Sequence, residues 1–227
     1  MSPRVRARLG PMANAWRTDH PWATVYDFLV ESRRIGHPIA RIGAGTDFGL
    51  LWEAAEVVGE LPDGAAVLDV PCGGGVALRG MRPGQDIRYV ATDISPAMLR
   101  RTEEAAHERG LARQVELVEA DVAAMPFPDA TFDLCVSFTG LHCFPDVRGA
   151  VREIARVVRP GGRLSGSAVL SDAGLRFLPM RVTGRIAGLL GPMCSSTELR
   201  EWLAQDGFVD VALRPSGGIT YFTATRA

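Results

Sequence analysis

Val67-Leu-Asp-Val-Pro-Cys-Gly-Gly-Gly75 carries an acid, a thiol and three consecutive glycines at the end of an apolar run. Glycine lets the backbone take φ > 0 and approach a bound molecule closely. At the carboxyl end of a strand, such a turn commonly faces a nucleotide. A tight turn alone would use the same glycines. Two further apolar runs end in acids: Tyr89-Val-Ala-Thr-Asp93, 18 residues beyond Gly75, and Leu117-Val-Glu-Ala-Asp121. A carboxylate at the second strand end can accept both ribose hydroxyls. Asp69, Asp93 and Asp121 at one sheet edge would repel one another unless a ligand with donors or positive charge sat among them. Each alone would also serve as a cap or turn residue. His142, four residues beyond Phe138, is the candidate base, because imidazole titrates near neutral pH. Local hydrogen bonding is its alternative role.

The elements that must hold these residues follow from periodicity. Short apolar runs predict strands at Ala65 to Val70, Ile87 to Thr92, Val115 to Glu119, Phe132 to Phe138 and Arg163 to Val169. Helices are predicted at Pro96 to Arg109 and Asp146 to Val158, the latter stopped by Arg159-Pro-Gly-Gly162. This alternation predicts a parallel sheet covered by helices. Ser196 to Gln205 is a last helix; Phe208 to Leu213 and Ile219 to Thr225 alternate like antiparallel strands. Upstream, Ala23 to Arg34 and Phe48 to Leu61 have helical spacing, separated by His37 to Gly45 with Pro38, Gly43 and Gly45 as breakers. Residues 171–195 break the rhythm.

Composition excludes several chemistries. The 227 residues suit one domain with a small appendage. All 25 basic residues are Arg, so a Walker A loop, a protein kinase and a pyridoxal-phosphate Schiff base lack their lysine. A net charge of −1 gives no reason to expect nucleic acid or a membrane surface as partner. Cys72, Cys135, Cys143 and Cys194 show no zinc-site spacing, so no metal is expected, and they read as thiols of a reducing compartment. No apolar stretch approaches the roughly 20 residues of a membrane span, and the basic start is not a secretory signal; a cytoplasmic protein is expected. The nicotinamide fingerprint G-x-G-x-x-G fails at its third glycine, where Leu78 stands, and Asp69 would put negative charge near a diphosphate.

Five segments in order resemble class I S-adenosylmethionine-dependent methyltransferases: Val67 to Gly75, Val90 to Leu99, Ala120 to Asp133, Phe138 to Asp146 and Glu153 to Arg163. The resemblance covers residues 65–170, and the branch is similar to small-molecule enzymes that include ubiquinone and menaquinone C-methyltransferases. It implies an α/β, Rossmann-like fold: a seven-stranded, mostly parallel sheet with an antiparallel last strand and helices on both faces. It further implies an N-terminal helical lid over residues 1–62, a cofactor domain over 63–227, and a substrate cap inserted at 171–195. The implied cofactor is S-adenosylmethionine, leaving as S-adenosylhomocysteine. Asp69 would act through the glycine loop on the methionine amino group, with Val70, Pro71, Cys72, Gly73 and Gly75 against the cofactor. Asp93 would hold the ribose, Ile94 and Met98 the adenine, Asp121 its amino group and Val122 its ring. Ser137 and Phe138 would flank the methionine portion. Pro71 stands where the family usually has Gly; it removes a donor.

Methyl transfer from a sulfonium needs positioning and desolvation of the two reactants, and a base only where the acceptor carries a proton. His142 and Tyr26 are the catalytic candidates. Trp16, His20 and Trp22 lie near Tyr26 in sequence and suit either stacking or pinning of the lid. The 171–195 segment is apolar and punctuated by Arg176, Arg181 and Arg185, which suits a lipophilic acceptor such as a quinone, polyketide or terpenoid, with an Arg for an acid or phenolate. The expected activity is methyl transfer to a small apolar molecule by a monomer or homodimer. The alternatives are a cyclisation or decarboxylation that keeps the cofactor, or a non-catalytic cofactor-binding partner.

Overall fold

The computed structural model describes residues 29–30, 32, 34–43 and 45–227. The expected helix from Ala23, with Tyr26, Trp16, His20 and Trp22, lies almost wholly outside the described residues. Seven strands form one sheet: β1 Ala66–Asp69, β2 Arg88–Asp93, β3 Val115–Glu119, β4 Phe132–Phe138, β5 Val158–Ala168, β6 Phe208–Ser216 and β7 Ile219–Arg226. Their order is β3-β2-β1-β4-β5-β7-β6. β1 through β5 pair in parallel, and β7 runs antiparallel to both β5 and β6. This is the Rossmann-like sheet with one antiparallel strand that the resemblance implies.

Neighbouring residues on the inner strands feed opposite cores. Val67, Tyr89, Ala91, Leu134 and Val136 belong to one apolar cluster, while Leu68, Val90 and Cys135 belong to the other. Such near-continuous apolar strands are stable only when helices cover both faces. On the first face lie α2 (Gly49–Ala55) and α3 (Pro96–Glu108); on the second lie α4 (Val147–Val157) and α6 (Ser196–Gln205). The helix starts are capped by side chains. Ser95 accepts from the Met98 N–H, Asp146 accepts from the Gly149 N–H, and Ser195 forms a capping box with Glu198.

Three expected boundaries move. The predicted break from His37 to Gly45 is a helix, α1 (Gly36–Gly43). Pro38 sits in its first turn, where a missing N–H costs nothing. The predicted helix from Phe48 ends as α at Ala55 and continues as a 3-10 turn, Glu56–Val58. A Cβ on Gly80 would collide with the Ala55 carbonyl, so the chain tightens where it crosses that backbone. β5 begins at Val158, not Arg163, because Arg159-Pro-Gly-Gly162 forms an irregularity within the strand, with Gly161 at φ +77°. After the triple glycine the chain makes a 3-10 turn, Val76–Gly80. Residues 171–195 hold a 3-10 turn, Leu175–Phe177, followed by α5 (Leu178–Ile186).

Candidate active site

The glycine turn is held from two sides. The Cys72 N–H donates to the Thr92 carbonyl at 2.9 Å, which extends the β2 edge. The Gly73 N–H donates to Asp93 Oδ2 at 3.1 Å, and Thr102 Oγ1 of α3 donates to the Gly73 carbonyl at 2.8 Å. Gly73 stands at φ +52°, and a Cβ there would meet nothing within 4 Å, so its outer side is open. Gly75 stands at φ +78°, but a Cβ there would press on Leu78 and on the α3 backbone at Thr102. Gly73 therefore opens the loop toward a ligand, and Gly75 lets α3 approach it. Pro71 closes against Gly140, where a Cβ would strike the Pro71 ring and lie 2.9 Å from Ser137 Oγ.

A cavity of about 670 Å³ opens beside this turn, within the range of small-molecule sites. Of the sequence-predicted residues, Val70, Pro71, Cys72, Gly73, Asp93, Ile94, Met98, Asp121, Val122, Phe138 and His142 all line it. Strand-end geometry explains this: β1, β2, β3 and β4 run in parallel, so their carboxyl ends meet on one side of the sheet. Asp69, Gly75 and Ser137 do not line it, and Tyr26 falls outside the described residues. Asp69 lies below the loop, where its Oδ2 accepts from the Tyr89 hydroxyl at 2.7 Å. The buried Ser137 Oγ has no hydrogen-bond partner among the described residues.

Burial sets the charge states. It pushes the Asp69 carboxyl up to about 7, opposed by the Tyr89 hydrogen bond and aided by the charge of Asp93. It pushes Asp93 up to about 6, opposed by the N–H groups of Ser95, Gly73 and Ile94. Asp93 Oδ1 also accepts from the Ser95 N–H at 2.9 Å. Asp121, half-buried, uses Oδ1 to cap the following turn through the Ala123 N–H at 2.9 Å. Buried acids with raised values favour a cationic or donor-rich ligand, whose arrival lets them ionise. The carboxylates of Asp93 and Asp121, the open side of Gly73 and the half-buried face of Ile94 thus fit a nucleoside bearing hydroxyl donors and a positive charge.

His142 does not present a free lone pair at Nδ1. The Val169 N–H donates to Nδ1 at 3.1 Å, and burial lowers the ring to about 4. The imidazole is therefore neutral with its proton on Nε2, a donor. The His142 carbonyl accepts from Gly191 N–H at 2.6 Å, which ties this loop to the 171–195 segment.

The 171–195 segment supplies much of the apolar wall. Met180, Thr183 and Gly184 of α5 and Ala187, just past its end, recur at helical spacing and line the cavity, followed by Leu189 and Leu190. Leu29, Ile39 and Ala40 line it from the N-terminal side. No Arg is among the described lining residues. Arg181 is turned to the Ser171 carbonyl, and Arg176 lies over the Phe177 ring at 4.8 Å. An Arg holding an acidic acceptor is thus not what the described residues offer. Gly74, Thr139 and Cys143 also line the cavity. Gly74 sits inside the glycine triplet, a signal already in the sequence. Thr139, at φ +52°, carries no such signal, because threonine does not announce a left-handed backbone. No group of three or more potential metal ligands occurs among the described residues, and no described helix is long and apolar enough to cross a membrane.

Comparison with known proteins agrees with this geometry. Residues 68–165 match the family described as "Methyltransferase domain". Over 122 residues the chain is 36% identical to the 27-O-demethylrifamycin SV methyltransferase of Amycolatopsis mediterranei, covering 52% of this chain and 45% of that protein. Over 103 residues it is 39% identical to a ubiquinone/menaquinone biosynthesis C-methyltransferase of Enterobacter sp., covering 44% and 41%. The chain thus spans about half, or less, of these relatives' length. The fold matches a geranyl diphosphate methyltransferase solved with GPP and sinefungin, with a TM-score of 0.65 at 15% identity over 79% of each chain.

Proposed function

We propose, for a chain whose residues 68–165 form a class I S-adenosylmethionine-dependent methyltransferase domain, that it transfers a methyl group to a small, neutral, apolar acceptor. The observation that carries this reading is the division of one cavity. Its acidic end lies at the carboxyl ends of β2 and β3, and its other end is apolar and free of arginine among the described lining residues. S-adenosylmethionine supplies a methyl group already activated on a sulfonium. The residues here bind, orient and exclude water.

In this reading Asp93 accepts the ribose hydroxyls while its backbone donors keep it fixed. Ile94 and Met98 contact the adenine, Asp121 accepts its amino group, and Val122 offers a backbone N–H. The open side of Gly73 lets the methionine portion approach, with Val70, Pro71 and Cys72 beside it. Phe138 borders the transferring methyl. Asp69 acts only through the loop, from beneath. His142 is a donor: its Nε2–H steers an acceptor oxygen, and deprotonation is not its task. The lid of this reading ends before α2, and the cap is residues 171–195. Leu51, Ala55 and Val58 are fully buried in the core and belong to the body.

The test is turnover. The purified protein is incubated with S-adenosylmethionine and a panel of neutral aromatic and isoprenoid acceptors, and S-adenosylhomocysteine is followed with methylated product. Stoichiometric formation of both supports the reading. A rearranged acceptor with the methyl donor intact would overturn it in favour of a cofactor-assisted, non-methylating reaction.

A further inference from the structure

α5 is unusual for a surface helix: none of its residues is buried. Its inner stripe faces the cavity, yet its outer side is apolar as well. Leu178, Val182 and Ile186 are exposed along it, Ile186 at 83%, and Leu175 in the preceding 3-10 turn is 84% exposed. A helix on a water-facing surface normally turns charge outward. Beside the cavity mouth, α1 repeats the pattern, with Ile42 83% exposed and Ile39 exposed while also lining the cavity. The two segments meet where Gly45 packs on Arg176 and Phe177. Charge is segregated with them. Residues 32–46 contain three Arg and residues 173–197 three more, with acids only at the flanks, Glu31, Asp47, Asp172 and Glu198. Arg34, Arg41, Arg176 and Arg185 are exposed and form no ion pair among the described residues. The net charge of −1 averages this cationic face away against the rest of the chain.

Contiguous exposed aliphatics mark an interaction surface, and aliphatics interleaved with Arg match the boundary of a bilayer with anionic headgroups. We propose that the outer face of α1 and α5 docks on an anionic lipid surface, so that the cavity mouth opens against the bilayer. The docking stands on the surface itself; only the consequence, entry of the acceptor from the lipid phase, rests on the proposed function.

The test is co-sedimentation of the full chain with vesicles of phosphatidylcholine alone or containing phosphatidylglycerol, without acceptor. Binding to the anionic vesicles is expected, with at least a tenfold weaker partition to neutral ones and a progressive loss with salt. Leu175→Ser with Ile186→Ser is expected to reduce the partition at least tenfold. Arg176→Gln with Arg185→Gln is expected to weaken it on anionic vesicles only. Val209→Ser, at an exposed apolar site on β6, is expected to leave it unchanged. Affinity for S-adenosylhomocysteine, measured in each variant, reports an intact fold. The proposal is overturned by no sedimentation with anionic vesicles, by equal binding to neutral ones, or by binding that survives both double variants. It is also overturned by a wild-type dimer in light scattering that the Leu175/Ile186 variant dissolves, because the face would then belong to a second copy. None of these outcomes depends on methyl transfer.

Discussion

The two ends of the cavity are built on different principles. At the acidic end the backbone is over-determined: Asp93 holds both the glycine turn and the start of the next helix, while Thr102 clamps the turn from α3. The residues there are strand ends in a sheet buried on both faces, so their positions follow from the whole core. At the apolar end, α5 buries no residue of its own and joins the body through a few bonds, such as Gly191 N–H to the His142 carbonyl. A rigid end suits a ligand that never changes, and a lightly anchored end suits a specificity that differs between relatives. The prediction is that substitutions at one end move cofactor affinity and at the other end move acceptor recognition.

The largest expected effect lies at the acidic end. Asp93→Ala should weaken S-adenosylhomocysteine binding about 10- to 100-fold, the worth of hydrogen bonds to a buried charged group. Calorimetric titration reads it directly, and an unchanged affinity would remove Asp93 from the site. At the apolar end, Ala187→Trp should raise the KM for an acceptor about tenfold while cofactor affinity holds. A loss of cofactor affinity instead would mean that the two ends are not separable.

His142 joins the two ends, and its effect is best read as pH dependence of stability. Burial lowers its folded value to about 4 from an unfolded 6.5, so the unfolded chain binds the extra proton between those values. Stability from this group therefore rises with pH from 4 to 6.5 and is fully present above, by on the order of 3 kcal/mol at about 1.4 kcal/mol per unit. Asp69 and Asp93 have raised values and act with the opposite sign, lowering stability as pH rises from 3.8 toward about 7 and 6. Denaturant titration of wild type minus His142→Asn cancels the acids. The difference should grow across pH 4 to 6.5, and a flat difference would show that the ring is not held neutral.

The sequence was most legible where a strand and its neighbours agree. β3 and β4 fall at their predicted limits, Val115–Glu119 and Phe132–Phe138, because apolar runs bounded by turn residues leave little choice. Most of the predicted binding residues share one cavity because parallel strands bring their carboxyl ends together. Part of what was not legible depended on distant contacts. The tautomer of His142 is set by Val169, 27 residues away. The helix at Gly36–Gly43 was hidden because proline reads as a breaker unless its place in the first turn is known. The cationic face was hidden because a whole-chain charge sums over surfaces that never meet a common partner.

The measurement that bears most directly on the account is calorimetric titration of the purified chain with S-adenosylhomocysteine and, separately, with NAD. Micromolar binding of the first and none of the second is expected. Binding of NAD in place of the sulfur nucleoside would contradict it, because the acidic end would then be holding a diphosphate that its two carboxylates should repel.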